Sequence, residues 1–208
     1  MIYVFPCAVS VHTYEPLAQR FADSYRRFPP GSEPHEVCVF GNGGPVTERQ
    51  RHLFDGMPCS WHQHDNRGRD LGAFQLAAET IPCDLMVCFG SPVHFWRAGW
   101  LDRIVDVFLR EGPAMFGPWG FYQPAPHLRT TCFWLPPELL RAYPLWITDY
   151  QRYAAEHGKN SLTAFTRNSG FPTIQVTWSK VLDGSNWENV TREDSLFLDQ
   201  HCDKMGWK

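Results

Sequence analysis

Along the first ninety residues, short runs of consecutive apolar side chains alternate with stretches where apolar residues recur every three or four positions. Ile2-Tyr3-Val4-Phe5-Pro6-Cys7-Ala8-Val9 is such a run, and it suits a strand buried on both faces of a parallel sheet. Leu17, Phe21, Tyr25 and Phe28 then share one helical stripe, which Pro29-Pro30-Gly31 ends. Residues 36–40 read as a second strand stopping at Gly41-Asn42-Gly43-Gly44, and residues 47–54 as a short helix after that turn. A third strand, weaker in pattern, falls at 60–64 and runs into a polar loop at 65–72. Residues 73–80 have helical composition, and 84–89 form the strongest strand of the chain.

This βαβαβαβ order predicts the α/β fold class: a mostly parallel central sheet of Rossmann-like type flanked by helices, with ligands at the carboxyl ends of the strands. The loops that such a sheet would present to a ligand are 8–13, 41–44, 65–72 and 90–95. Beyond them the pattern changes. Residues 99–109 are an amphipathic helix with Trp100, Ile104 and Phe108 in register, and 113–122 mix loop and strand. Pro136-Pro137 opens a short helix through Leu140, because proline is tolerated in a first helical turn. Residues 148–157 and 161–168 form two more, the second with a Ser161 cap and Gly170 past its end, and 173–178 form a late strand. No repeat or interdomain linker interrupts the chain, so residues 1–208 are expected to form a single domain.

Composition narrows the functional classes. Hydrophobic residues at 43% and charged residues at 20% fit a folded globular chain. A net charge of −3 offers no broad footprint for a polyanion, so nucleic acid is excluded as a partner. No run approaches the roughly 20 apolar residues that a membrane span needs, and no signal-type leader is evident at the N-terminus. The seven cysteines include no Cys-x-x-Cys pair and several lie in apolar runs, which favours buried free thiols in a reducing cytoplasm over a structural zinc site. The nine tryptophans read chiefly as core, although aromatic rings also serve as sugar platforms.

The densest concentration of chemistry is Asp65-Asn66-Arg67-Gly68-Arg69-Asp70-Leu71-Gly72-Ala73-Phe74, lying between a strand and a helix. Its glycines would let backbone approach a ligand, and the following helix start offers N–H groups to an anion. Arg67 and Arg69 bring charge suited to phosphate, and Asp70 can accept hydrogen bonds from a ribose or base; a polar turn with a helix-capping Asp reads equally well from the residues.

The same residues carry a resemblance. Asn66, Gly68, Asp70, Gly72, Ala73 and Phe74 match the Asn-x-Gly-x-Asp-hydrophobic-Gly-Ala-aromatic motif of the GT-A glycosyltransferases of polysaccharide assembly, in particular the rhamnan-synthesis or capsular polysaccharide type. Three further segments follow in the family's order. The strand at 85–89 leads to Gly90-Ser91-Pro92-Val93-His94-Phe95, in the slot of the family's DxD-like site. Gly117-Pro118-Trp119-Gly120 with His127-Leu128-Arg129-Thr130-Thr131 is similar to a Gly-x-x-Gly segment followed by His-hydrophobic-polar-Ser/Thr. Glu156-His157-Gly158-Lys159-Asn160-Ser161-Leu162-Thr163 is similar to an acidic residue ahead of a Ser/Thr-Leu helix start. Together these cover residues 65–178.

The resemblance implies a single GT-A domain over 1–208, with 1–95 as nucleotide-binding half and 96–208 as acceptor-side half. It implies a nucleotide-diphosphate sugar donor, a glycan acceptor, and sugar transfer, inverting if Glu156 is the base that deprotonates the acceptor hydroxyl. By position, Val9, Ser10 and Asn42 would border base and ribose, Asn66, Arg67, Asp70 and Gly72 would lie along the nucleotide, and Gly90 and Ser91 nearest the sugar phosphate. His94, His127, Thr130 and Thr131 would contact the acceptor or substrate.

A divalent cation, Mg²⁺ or Mn²⁺, is also implied, but Gly90-Ser91-Pro92 supplies no carboxylate where the family carries one, so its ligands stay unassigned. Either Arg67, Arg69 or Arg129 neutralises the diphosphate, or His94, Asp199 and His201 build an unusual ion site, or activity is lost. That last possibility leaves an alternative: a catalytically silent domain that binds glycan or a protein partner. From residues alone, Glu156 also fits a solvated helix end, His94 and His127 also fit hydrogen-bonded structural histidines, and the terminal Asp199-Gln200-His201 fits a helix cap as well as a flap over the donor.

Overall fold

Side chains along three of the central strands alternate between two apolar cores, which is why these runs must sit mid-sheet with helices on both faces. Val37 and Val39 enter one core while Cys38 and Phe40 enter the other; Val87 and Phe89 oppose Met86 and Cys88, and Trp134 opposes Phe133 and Leu135. The computed structural model describes residues 7–10, 15–144, 149–184 and 186–207. The expected strand residues 2–6 and loop residues 11–13 lie outside these.

The first half follows the expected alternation: β1 (Cys7–Ser10), α1 (Glu15–Arg27), β2 (Val37–Asn42), α2 (Glu48–His52), β3 (Cys59–His64), α3 (Arg69–Thr80) and β4 (Met86–Phe89). In α1 the buried stripe is Ala18, Phe21, Ala22 and Tyr25, with Phe28 packing just past the helix end. A capping box between Thr47 and Gln50 starts α2. Two boundaries differ from expectation with consequences for the site. β2 runs two residues further and takes Asn42 out of the turn into the sheet, where it pairs with His64 of β3. α3 starts at Arg69 rather than residue 73, because Gly68, at φ 75°, turns the chain directly into the helix. Asp70 and Gly72 therefore belong to the helix, and the N-cap is Gly68 without a side-chain bond, not Asp70.

The second half contributes α4 (Trp100–Glu111), β5 (Met115–Gly117), β6 (Gly120–Phe121), β7 (His127–Leu128), β8 (Cys132–Leu135), α5 (Pro137–Arg141), α6 (Asp149–His157), α7 (Leu162–Asn168), β9 (Thr173–Val176), β10 (Val181–Asp183) and α8 (Gln200–Lys204). Ser161 caps α7 by accepting from the Ala164 N–H at 3.2 Å, and Gly170 follows at φ 84°. One eight-stranded sheet has the order β10-β9-β5-β8-β4-β1-β2-β3, and β6 and β7 form a separate hairpin. β3, β2, β1 and β4 are mutually parallel; β8 runs antiparallel between β4 and β5, so the sheet becomes mixed where the second half joins it. The reversal places residues 130 and 131, just before β8, at the carboxyl end of β4.

An aromatic cluster fixes the C-terminal segment. Phe95 stacks on Trp100 at 4.6 Å between centroids, Phe21 meets Phe95 edge-on at 5.0 Å, and Phe197 meets Phe89 edge-on at 5.0 Å. Beside it, Leu198 and His94 exchange both backbone hydrogen bonds. Each fully buried ring or aliphatic side chain contributes roughly 1.5–3 kcal/mol relative to exposure, so Leu196, Phe197 and Leu198, all buried, tether the chain firmly ahead of α8.

Candidate functional site

The strand order 3-2-1-4 puts the topological switch point between β1 and β4, where the chain, after building outward through β2 and β3, returns to the other side of β1. The carboxyl ends that open there carry Ser10 and, one residue past β4, Gly90. Register aligns Val9 with Gly41, Ser10 with Asn42, and Asn42 with His64, so the residues expected beside base and ribose share one sheet edge; the side chains of Val9 and Ser10 lie outside the described set. Asn42 is buried, and its Oδ1 accepts from His64 Nδ1 at 3.0 Å. Burial holds the His64 pKa below its usual value, with Asp65 opposing, so the ring is neutral and donates from Nδ1.

α3 is pressed against this edge. A Cβ on Gly72 would fall 1.9 Å from the Arg67 carbonyl oxygen and 2.9 Å from His64 Cε1, so only glycine lets helix and loop meet; its role in the motif is this close approach. Asn66 and Arg69 both take positive φ, 69° and 55°, and the Arg67 N–H donates to Asp65 Oδ1 at 2.9 Å. Arg67 itself lines a cavity of about 310 Å³ with Gln63, His64 and Gln75, along the outer strand β3 rather than at the switch point. Asp70, in contrast, reaches it. A Cβ on Gly90 would lie 3.2 Å from Asp70 Oδ2 and 3.1 Å from the Thr131 carbonyl oxygen, which accepts the Gly90 N–H at 2.8 Å. Half-exposed Ser91 follows directly.

From Thr131 the site continues into a second group. Thr130, fully buried, donates through Oγ1 to Glu156 Oε2 at 2.6 Å. His157 Nδ1 lies 3.8 Å from Glu156 Oε1, and the His127 and His157 rings meet edge-on at 5.1 Å. His127 donates from Nδ1 to the Ala125 carbonyl at 2.7 Å, an arrangement that leaves Nε2 as the acceptor nitrogen. His127, Glu156 and His157, with Phe121, Arg129 and His201, line a cavity of about 250 Å³. The helix start at Leu162 supports this wall from behind: Thr163 Oγ1 accepts the Leu128 N–H at 3.0 Å.

Other expectations are redistributed. Arg129 is ion-paired to Asp199 at 2.8 Å, packs over the Trp119 ring at 5.2 Å and donates to Thr131 Oγ1 at 3.4 Å, so its charge is already matched within the protein. Asp199 is the N-cap of α8, accepting from the His201 and Cys202 N–H groups. The set His94, Asp199 and His201 is not an ion site: among the described residues, the three-donor group within 4.8 Å is His127, Glu156 and His157. The His94 ring turns toward α1, with Nε2 2.7 Å from Arg20, which also binds Asp203. Burial, then the Arg20 charge, lowers its pKa. It lines a different cavity, of about 560 Å³. Cysteine chemistry is excluded at the sheet centre, since complete burial raises the Cys88 and Cys132 thiols well above their normal range.

The hard cation that the resemblance implies does not fit the β4 end. Gly90 and Pro92 carry no donor, and Asp70 is one carboxylate, whereas Mg²⁺ and Mn²⁺ are held by several oxygens. The structure adds two contacts, Arg129–Asp199 and His157–Glu156. The first has no local signal, being 70 residues apart; the second had one, a His beside the candidate base.

No family model matches the chain, and no curated protein matches it. Solved structures match in fold. A mannosyltransferase from Pyrobaculum calidifontis, in complex with GDP-Man and Mn²⁺, superposes with a TM-score of 0.54 at 13% identity over 70% of this chain and 48% of that one. TarS of S. aureus gives 0.53 at 12% identity over 79% and 33%. Mouse xyloside xylosyltransferase 1, apo form, gives 0.51 at 9% identity over 82% and 81%. The chain spans less than half the length of the first two. The α/β fold is shared with these solved glycosyltransferases.

Proposed function

We propose that the chain transfers a sugar from a nucleotide-diphosphate donor to a carbohydrate acceptor with inversion, Glu156 acting as the base. One observation carries this reading: Asp70, Gly90 and Thr131 converge at the switch point, and the adjacent Thr130 holds Glu156 by a direct hydrogen bond.

In this reading the nucleotide lies over the carboxyl ends of β1 and β2, with Asn42 bordering the ribose and Asp70 accepting its hydroxyl hydrogen bonds. Arg69 and the positive end of α3 face the diphosphate. The sugar sits between Gly90-Ser91 and the cavity walled by His127 and Glu156. Thr130 orients the carboxylate by donating to Oε2, and Glu156 takes the proton from the acceptor hydroxyl. As that oxygen bonds to the anomeric carbon, the bond from that carbon to the diphosphate oxygen breaks and the nucleotide diphosphate departs. No step is routed through a metal ion. Phe121 and His127, stacked at 5.9 Å, offer an apolar face to the acceptor ring. Residues 1–95 thus serve the donor and 96–208 the acceptor. The setting is cytoplasmic polysaccharide assembly, consistent with the free thiols of Cys38, Cys59, Cys83, Cys88, Cys132 and Cys202.

The missing carboxylate at Gly90-Ser91-Pro92 favours a second reading, a silent domain that binds glycan or a protein partner. Calorimetry with UDP-, GDP- and dTDP-sugars, followed by turnover assays, decides between them. Binding of one nucleotide sugar, with slow turnover that Glu156→Gln abolishes, supports transfer; binding without turnover supports the silent domain; no nucleotide binding refutes both the donor site and the base.

A further inference from the structure

We propose that His127, Glu156 and His157 form a binding site for a borderline-soft divalent cation of the zinc class, with three protein donors and one position open to the cavity. The inference goes beyond glycosyl transfer and stands on the donor geometry alone; a bound ion takes the Glu156 oxygen that the transfer reading uses as base, so that reading describes the metal-free chain.

His127, Glu156 and His157 can each supply one donor atom, a ring nitrogen or a carboxylate oxygen, and one such atom of each lies within 4.8 Å of the others. Zinc bonds of about 2.0–2.1 Å in tetrahedral arrangement bring donors to about 3.3 Å apart. The observed 3.8 Å between Glu156 Oε1 and His157 Nδ1 is close to that separation, so closing on an ion needs side-chain adjustment rather than backbone rebuilding.

The surroundings orient the donors as metal sites require. His127 donates Nδ1–H to the Ala125 carbonyl at 2.7 Å, which fixes the tautomer that presents a lone pair at Nε2. Thr130 Oγ1 donates to Glu156 Oε2 at 2.6 Å, which anchors the carboxylate and turns the other oxygen to the group. Glu156 and His157 stand at the C-terminal end of α6, where the helix dipole favours a cation. Two imidazoles and a carboxylate suit zinc or cobalt rather than Mg²⁺, which prefers an oxygen shell. The adjoining cavity of about 250 Å³ lets water or a hydroxyl take the fourth position, the composition of an open rather than a closed structural zinc site.

The test is titration of the full chain, first stripped of metal, with Co²⁺ followed by visible absorption and then with Zn²⁺ in competition. One Co²⁺ per chain with the strong visible bands of a tetrahedral site, displaced by one Zn²⁺, is expected. Glu156→Gln and His157→Gln should each weaken binding by 10-fold or more while their circular dichroism stays that of the parent. Absence of the bands, an intense near-ultraviolet thiolate band placing the ion on cysteine, or affinity unchanged in both variants would overturn the site. Failure of nucleotide sugars to bind or turn over would leave this result untouched, so the two readings fail separately.

Discussion

Asp199→Asn isolates the electrostatic part of the contact that fastens the C-terminal helix to the site wall. The Asp199 side chain is 1% exposed and that of Arg129 19%, so the pair is shielded from solvent. Asn keeps the oxygen that caps α8, which accepts from His201 at 2.9 Å and Cys202 at 3.0 Å, and removes only the charge facing Arg129. Leaving one partner of a buried pair uncompensated costs about 3–5 kcal/mol. Arg129 retains some solvent, the Trp119 face and Thr131, which places the expected loss near the lower limit, about 3 kcal/mol. For a chain of this size that corresponds to a fall in Tm of roughly 6–12 °C. Asp199→Ala should lose about 1 kcal/mol more through the missing cap. Arg129→Met should cost at least as much as Asp199→Asn, because it strands the Asp199 carboxylate, the more buried partner, with only the α8 N–H groups to compensate it. Urea unfolding of the three variants and of the Asp199→Asn/Arg129→Met pair gives the coupling energy by a double-mutant cycle. Asp199→Asn within about 0.5 kcal/mol of the parent, or a coupling near zero, would refute the claim that this ion pair holds α8 in place.

Gly72→Ala should destabilise by about 1–3 kcal/mol in urea unfolding, since its Cβ would fall 1.9 Å from the Arg67 carbonyl and the loop must retreat. Glu156→Gln should lower sugar-transfer turnover by about 10²-fold or more while calorimetry shows unchanged nucleotide affinity. Stability should decline as pH falls below about 6.5, because burial lowers the folded pKa values of His64 and His94 and the unfolded chain then binds more protons. The loss grows until each folded pKa is passed, and His64→Gln, measured by unfolding across the same range, should flatten part of it.

The parts of the fold that were legible in the sequence are those whose information is local. The period change between residues 7–9 and 17–28 marks strand and helix because burial on a sheet and on a helix demands different spacings. Cys132-Phe133-Trp134-Leu135, bounded by two threonines and two prolines, carried the same signal and was passed over as a strand, although it is the one that joins both halves of the sheet. The early start of α3 was hidden for a physical reason: Gly68 and Gly72 read as loop residues, yet one supplies the left-handed turn into the helix and the other the close contact behind it.

The site was legible in its residue types and less so in its partnerships. Motif order proposes Asp70, Gly90, Thr131 and Glu156 as one site; the structure brings Asp70, Gly90 and Thr131 together and links Glu156 to the neighbouring Thr130, because the strand order fixes which loops meet. Motif order could not say that Arg129 would spend its charge on Asp199, or His94 face Arg20, since each pairing joins residues more than 60 positions apart. That distinction bears on the chemistry. Arg129 is neutralised by Asp199 and Gly90-Ser91-Pro92 carries no carboxylate, while two imidazoles gather around Glu156. Under the proposed transfer, the group to perturb first is therefore the one around Glu156.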